Sequence, residues 1–549
     1  MAESRSSRPS LRLIAGELVN NLASDATDIA EAALTGRVPG QTEAEADAGT
    51  AKAGGRPPRI QIAVIGGGIA GLSAAWSLVR DRKVDADVTI FEAAGEVGGK
   101  LQLHEIEGLV LDAGAESLLA VRPEAVSLAK AAGLGPAIVH PSTSSASVVS
   151  HGKMRDLPTG LISGIPTDLR ALAASDILSV PGLLRIPLDY VLPETTLRGD
   201  ISIGDFVATR MGREVVDRLV EPMLGGVYAG RAEELSLEMT VPALFRLVKR
   251  EKSLLAAAKE ARATGAATSG ARRGEVFAGI TGGVGRLPIA LADKLTRLGV
   301  TIQTSTSVSG LRRSANGWRL LIAQGKEVAR KEYDAIVLAV PAFAAAKLLR
   351  KANPQAAAAL DTVDYASVGL VTMLYSPDDV PPVNGSGFLV PPIEGFAIKA
   401  ATYSSHKWAW VSRAGARGSR TRSRNNSGSR QSFVVIRASL GRFGEPEALA
   451  HDDDELVRLA ARDLYKIAGV TPRPIASKVT RWDNALPQYT VGHRARMARV
   501  REVLVDTPGI SVCGAAYDGV GIPACIGSAQ FAAGQVASYL AERGQLAHG

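Results

Sequence analysis

Apolar residues fall into two patterns along this chain. The first is a short, nearly unbroken run: IAVI at 62–65, VTIF at 88–91, the stretch 300–304, DAIVLAV at 334–340 and ISVC at 510–513. Runs of this length, bounded by glycine, proline or charge, predict strands buried on both faces of a parallel sheet. The second pattern has a helical period. It covers 169–178, 203–211, 214–224 and 241–262, so 155–270 reads mostly helical, and it returns at 282–298, 453–468 and 527–540. Two further strand runs, 369–375 and 433–439, stand apart from the first set and predict a second sheet. Strand and helix signals in alternation place the chain in the α/β class.

The glycine-punctuated strands recur in three separated places. The first domain is therefore expected to be discontinuous: 59–150, 271–345 and 481–549. A helical domain is expected at 151–270, and a sheet-based domain at 346–480. Residues 1–58 read as a flexible extension, with a weak amphipathic helix at 11–33 and a Gly/Ala/Pro/Glu-rich linker after it. The apolar stretch LSVPGLLRIPLDYVL at 178–192 is interrupted by Pro181, Arg185, Pro187 and Asp189. It is expected to be core, with a membrane face as the alternative. There is no internal repeat.

Composition narrows the class. The chain has 549 residues, 46% hydrophobic and 21% charged, which suits a soluble protein of about three or four domain-sized units. No stretch approaches the roughly 18 uncharged apolar residues of a membrane span. Two cysteines, Cys513 and Cys525, give no disulfide framework and fit a reducing compartment. Glu17 interrupts the only apolar run near the start, so no secretory signal is read and a cytoplasmic enzyme is expected. The net charge of +8 suggests nucleic acid at first sight. However, the segment 411–432 holds six arginines and no acid. It reads as a solvated flexible insert, and no nucleic-acid partner is expected.

The chemistry begins at Gly66-x-Gly68-x-x-Gly71, between the strand 62–65 and an Ala/Leu/Trp helix pattern. Gly66 permits a tight turn, Gly68 lets backbone approach a pyrophosphate, and Gly71 lets the helix pack on the strand. The free N–H groups and positive end of the helix face the phosphates. Glu92, about 20 residues on and at the end of the second strand, can accept hydrogen bonds from a ribose. A second glycine turn, Gly95-Glu96-Val97-Gly98-Gly99-Lys100, and the turn Asp112-Ala113-Gly114-Ala115-Glu116-Ser117 follow. The whole resembles the FAD-binding amine oxidase and phytoene desaturase superfamily.

Three later motifs sharpen the resemblance: LVEPMLGGVYAGRAEELSL at 219–237, RWDNALPQYTVGH at 481–493 and GAAYDGVGIPACI at 514–526. With the N-terminal fingerprint they resemble the protoporphyrinogen/coproporphyrinogen oxidase family of haem synthesis, over about 60–540 and outside the extension and the insert. The resemblance implies a Rossmann-like FAD-binding domain built from discontinuous segments, a mixed-sheet substrate domain and a helical domain. It implies non-covalent FAD. Gly66, Gly67, Gly68, Ile69, Ala70, Gly71 and Glu92 would hold the ADP half, Ala93 and Gly99 would also contact the cofactor, and Val308 would present backbone to the adenine. Lys100, Gly114, Ala115, Glu116 and Ser117 would lie along the ribityl and flavin side. Trp482, Val520, Gly521 and Ile522 would close around the isoalloxazine.

On the substrate side the family implies a tetrapyrrole and O2. Gly226 matches a position whose backbone lies over the substrate, with Tyr228 close by; a tight turn between helices is the plain alternative. The propionate-binding arginine of the mitochondrial-type enzyme falls on Ala146 here. The Gram-positive bacterial branch also lacks it and has a basic residue where Arg122 stands. That branch acts on coproporphyrinogen III, so this substrate is expected ahead of protoporphyrinogen IX. Arg122 is the candidate carboxylate clamp, with a surface arginine capping the next helix as the alternative.

The expected reaction is repeated hydride transfer from meso carbons to the flavin, with peroxide formed from O2. Such chemistry depends on positioning more than on acid–base groups, and no catalytic dyad is read. His493 is expected to be structural, and no metal site is read. Another amine oxidase or desaturase, and a non-catalytic relative like the GDP-dissociation inhibitors, remain rival readings. Peripheral membrane contact, and transient contact with the next haem-synthesis enzyme, stay open.

Overall fold

The structure is a computed structural model that describes residues 59–268, 276–417 and 432–544. The extension 1–58 and residues 418–431 of the insert lie outside the described residues. The chain divides into two compact units. One contains Lys100–Arg286 and Asp364–Ala495; the other contains Leu287–Val363 with 59–99 and 496–544.

The second of these is built on a parallel sheet. Its strand order is Thr301–Gln303, Ala86–Phe91, Ile60–Ile65, Ala335–Leu338 and Ile510–Val512, with every neighbouring pair parallel. Consecutive residues Ile62, Ala63 and Val64 all have zero exposure. Successive strand residues point to opposite faces, so both faces are covered, which is why these strands read as unbroken apolar runs. The chain order reverses about Ile60–Ile65. In sheets of this kind ligands bind beyond the carboxyl ends of the strands at that reversal. An antiparallel meander, Thr306–Arg313, Trp318–Gln324 and Glu327–Tyr333, belongs to the same unit. Val308 lies within the first of these strands, beside a bulge between Val308 and Gly310. A bulge inserts an extra residue without ending a strand.

The other unit carries a seven-stranded sheet in the order Ala476–Pro487, Tyr365–Tyr375, Val434–Leu440, Ile398–Thr402, Gly387–Leu389, Ser147–Ser150 and Lys153–Asp156. All pairs are antiparallel except Gly387–Leu389 with Ser147–Ser150, so the sheet is mixed. The helix Asp453–Ala468 covers one face, packing Leu456, Ala460 and Leu464 among Val371, Met373, Ile436 and Ala438. Its ends match the sequence reading because both are capped. Asp452 accepts from the Glu455 N–H, and Gly469 closes the helix at φ +68°. The expected domain limits at 150 and 480 differ from this arrangement. The first cuts the hairpin in which Ser147 pairs with Asp156, and the second cuts a strand that pairs along Tyr365–Tyr375.

Two expectations about exposure are corrected. The segment 178–192 is not core: Val180 and Leu184 are each 69% exposed and Val191 73% exposed, with Leu188 and Tyr190 also exposed. Leu178 and Ile186 do turn inward, and so does Asp189, which accepts from Arg210 Nε at 2.5 Å, Ser253 Oγ at 2.5 Å and the Leu255 N–H at 2.8 Å. Drawing that polar side chain inward turns its apolar neighbours out. The arginine-rich insert, in turn, is not flexible from its start. Residues up to Arg417 belong to the helix Ala409–Arg417, with Val411 and Gly415 buried. A Cβ on Gly415 would stand 2.2 Å from the Phe433 carbonyl oxygen.

Candidate functional site

In the parallel-sheet unit the first strand ends at Gly66, held at φ +109°. A Cβ there would meet the Ala339 carbonyl oxygen at 2.4 Å, and one on Gly71 would meet the Gly66 oxygen at 1.8 Å. Both positions therefore exclude side chains on packing grounds alone. Gly68 differs. It has ordinary extended backbone at the N-terminus of the helix Ile69–Trp76, and a Cβ on it finds nothing closer than Gly99 Cα at 4.0 Å. Its missing side chain leaves open space at a helix N-terminus, as a pyrophosphate requires.

The acid is in place. Glu92 Oε2 accepts from the Gly67 N–H at 2.7 Å and Oε1 from the Ala94 N–H at 2.8 Å. The second glycine turn closes on the first through Gly98 N–H to Gly67 O at 2.9 Å, with Gly98 and Gly99 at positive φ. Thr306 N–H donates to Glu92 O at 2.8 Å, so the strand holding Val308 begins beside Glu92; Ala93 is exposed next to it. After Ile510–Val512 the chain turns at Gly514, where a Cβ would lie 3.9 Å from Ala70 Cβ. Val520 precedes Gly521, the N-cap of the helix Ile522–Glu542. Cys513 and Cys525 are buried thiols that are not joined in a disulfide, and burial pushes the Cys513 thiol up.

In the mixed-sheet unit the turn 113–117 is fastened at several points. Trp482 Nε1 donates to the Ala113 carbonyl at 3.1 Å and Arg437 Nη2 to the Gly114 carbonyl at 2.6 Å. The Glu116 carboxylate accepts from Lys407 Nζ at 2.7 Å, Arg437 Nη1 at 3.0 Å and Ser404 Oγ at 3.0 Å. Burial pushes the Glu116 carboxyl up, but Lys407 and Arg437 outweigh it and hold it down at about 2. A Cβ on Gly114 would meet the Lys100 carbonyl oxygen at 2.0 Å. Asp112 accepts from the Val284 and Gly285 N–H groups; burial raises its carboxyl to about 6, partly offset by the Gly285 bond. Burial, then the Arg437 and Lys478 charges, lower His104 to about 4.

Strand alternation defines what lies beside this turn. Arg437 and Ser439 share one sheet face, opposite the helix-covered one. Across that face Thr480, Leu370, Ser439, Ala400 and Leu389 stand side by side in the ladder, and each keeps partial exposure. The helix Glu221–Tyr228 lies against this row: a Cβ on Gly226 would come within 3.3 Å of Leu389 Cδ2. Gly226 is thus inside a helix, not in a tight turn between helices, and its surface is exposed. Tyr228 packs its ring 5.6 Å from that of Tyr489, and burial pushes its hydroxyl up to about 12. Gly226, Tyr228, Trp482 and Gly114–Ser117 therefore all belong to this unit.

Arg122 occupies a different setting. It is buried, at the N-cap position of the helix Pro123–Ala131, and its guanidinium is paired with Glu124. The surface-arginine alternative is excluded by burial, and the carboxylate partner that a propionate would provide is already supplied to Arg122 by Glu124. Sequence reading missed Ser404, Lys407 and Arg437. They lie about 290–320 positions from Glu116, and no local spacing announces them.

The family model for flavin-containing amine oxidoreductases matches residues 69–537. The chain is 33% identical to the coproporphyrinogen III oxidase of Mycobacterium bovis, over 85% of this chain and 95% of that protein. It is 29% identical to that of Bacillus subtilis, over 87% and 98%. A solved protein from Exiguobacterium sp. 255-15, described as a candidate protoporphyrinogen oxidase, superimposes with a TM-score of 0.73 at 29% identity, covering 89% of this chain and all of that one.

Proposed function

The chain belongs to the flavin-containing amine oxidoreductase family, and from that premise we propose that it oxidises coproporphyrinogen III to coproporphyrin III. It is an FAD-dependent oxidoreductase. The observation that carries the substrate is the 33% identity to a coproporphyrinogen III oxidase across 95% of that protein's length. Identity to the chloroplastic protoporphyrinogen oxidase of Nicotiana tabacum is lower, at 27%. When bound, FAD supplies a two-electron acceptor for hydride from a meso carbon and passes the electrons to O2.

The protein's own residues bind and orient. Gly66–Gly71 and Gly98–Gly99 leave room for backbone contact with phosphates, and Glu92 offers carboxylate oxygens to a ribose. The row from Thr480 to Leu389, with the Gly226 surface beside it, offers a partly polar floor on which a flat macrocycle can lie. The two cysteines are buried, and the cofactor is held without a covalent bond. Release of coproporphyrin fluorescence with one peroxide per two-electron step, from the purified protein and coproporphyrinogen III, tests the assignment directly; an inert protein carrying FAD would sink it.

Among the described residues no helix is long and apolar enough to cross a membrane. Val180, Leu184, Leu188, Tyr190 and Val191 nevertheless form an exposed apolar cluster, with Lys259 Nζ 2.9 Å from the Tyr190 hydroxyl. Apolar side chains beside a lysine suit the interfacial region of an anionic bilayer, and a cytoplasmic protein with peripheral membrane contact is the reading adopted. Docking of the enzyme that consumes the product is the alternative use of this surface.

A further inference from the structure

We propose that Arg437 and Lys407 are positioning residues that orient the turn 113–117 so that its amide N–H groups point away from the sheet, ready to donate to an electron-rich edge of the flavin. The inference rests on the flavin reading above and deepens it. In a trans peptide the C=O and N–H of one amide plane point in opposite directions. Trp482 draws the Ala113 carbonyl to the sheet and Arg437 draws the Gly114 carbonyl the same way. The Gly114 and Ala115 N–H groups of those two amides must then face the other side. Among the described residues, none of the N–H groups of 114–117 donates to a backbone carbonyl. Carbonyl groups held by side chains, with the paired donors left open, make a concave site for negative charge.

The cations do more than neutralise Glu116. Arg437 alone spans two acceptors, Glu116 Oε2 at 3.0 Å through Nη1 and Gly114 O at 2.6 Å through Nη2. A planar fork can hold two acceptors in fixed relation; an ammonium cannot. Lys407, with its side chain 17% exposed, takes the other carboxylate oxygen and stops Glu116 from rotating away. Ser404 adds the third bond from the same short helix, Ser404–Lys407. Thus the sheet and a neighbouring helix hold both ends of the turn, and the amides between them have one orientation.

The test uses the full-length holoprotein and three variants: Arg437→Met, Arg437→Lys and Lys407→Met. The readouts are FAD dissociation by fluorescence, the two-electron midpoint potential, and thermal unfolding of the apoprotein. Donors aimed at a flavin edge stabilise the electron-richer reduced form most. Arg437→Lys keeps a charge beside Glu116 and should fold, yet bind FAD roughly tenfold more weakly. Its potential should fall by about 30 mV for each tenfold loss of preference for the reduced cofactor. Arg437→Met should show the same sign with a larger shift, and Lys407→Met the same sign with a smaller one. An Arg437→Lys protein with unchanged FAD affinity and potential, whether or not its unfolding temperature drops, would overturn the inference and reduce the triad to a structural ion pair. A wild-type protein that takes up no FAD would instead refute the reading on which the inference rests.

Discussion

Glu92 and Gly67 are joined by a 2.7 Å hydrogen bond from the glycine N–H to Oε2 of the acid, so the candidate ribose acceptor is fixed to the glycine turn itself. A Cβ on Gly67 would stand 2.9 Å from Glu92 Cβ, so this position too tolerates no side chain without moving the acid. Gly68 is the informative position, since its Cβ direction is open. Gly68→Val should fold with an unfolding temperature close to that of wild-type apoprotein and lose the yellow colour. Gly71→Val should unfold earlier, because its side chain starts 1.8 Å from a carbonyl oxygen. Visible absorbance and thermal melts of the two variants, side by side, separate a cofactor role from a packing role. A Gly68→Val protein that stays yellow would refute the cradle.

Stability should depend on pH through Lys399. This lysine is 5% exposed and donates to the Gly441 carbonyl at 2.8 Å. Burial, then the Arg442 charge, lower it from 10.5 to about 7. Its folded pKa lies below its unfolded one, so between about 7 and 10.5 the unfolded chain binds the proton that the folded chain does not. Stability from this group therefore rises with pH across that window. Lys399→Met should flatten the rise. Glu116 acts at the other end: its carboxyl is depressed to about 2, so its contribution is present above 4.5 and fades as pH falls towards 2. Unfolding midpoints of wild type, Lys399→Met and Glu116→Gln from pH 3 to 10 check both signs. A Lys399→Met protein that keeps the alkaline rise would contradict the first.

Much of this was legible in the chain. The parallel strands showed as apolar runs because both of their faces are buried, and the helix 453–468 showed both ends because Asp452 and Gly469 cap it. The glycine cradle and Glu92 were readable because all their members fall within 40 residues of one another. The environment of the 113–117 turn was not, because Arg437 and Trp482 reach it from sheet strands and Lys407 from a short helix, each hundreds of positions away in the chain. The 178–192 stretch misled for a related reason: its apolar content is visible locally, whereas the Asp189–Arg210 pair that turns it outward is not.

Arg122→Ala should lower stability rather than substrate affinity. The guanidinium is buried against Glu124, whose side chain is 15% exposed, and leaving that carboxylate without its partner costs about 1–3 kcal/mol. The Michaelis constant for coproporphyrinogen III and for its tetra-ester should change by the same factor. A loss confined to the acid would restore Arg122 as a propionate clamp.

The exposed cluster should govern association with lipid. Leu184→Asp combined with Val191→Asp should abolish flotation with vesicles containing anionic lipid, while FAD content and turnover in free solution stay unchanged, because both side chains point into solvent. Flotation that persists in the double variant would remove this surface from the account of membrane contact.

The central claim is that reducing equivalents pass from coproporphyrinogen III to the bound flavin. Anaerobic stopped-flow mixing of the yellow protein with coproporphyrinogen III, and separately with protoporphyrinogen IX, follows it in a single absorbance trace. The expected result is saturable bleaching of the flavin band by coproporphyrinogen III, faster than by protoporphyrinogen IX, with colour returning on admission of O2. Flavin that stays oxidised with coproporphyrinogen III, or bleaches faster with protoporphyrinogen IX, would contradict the assignment.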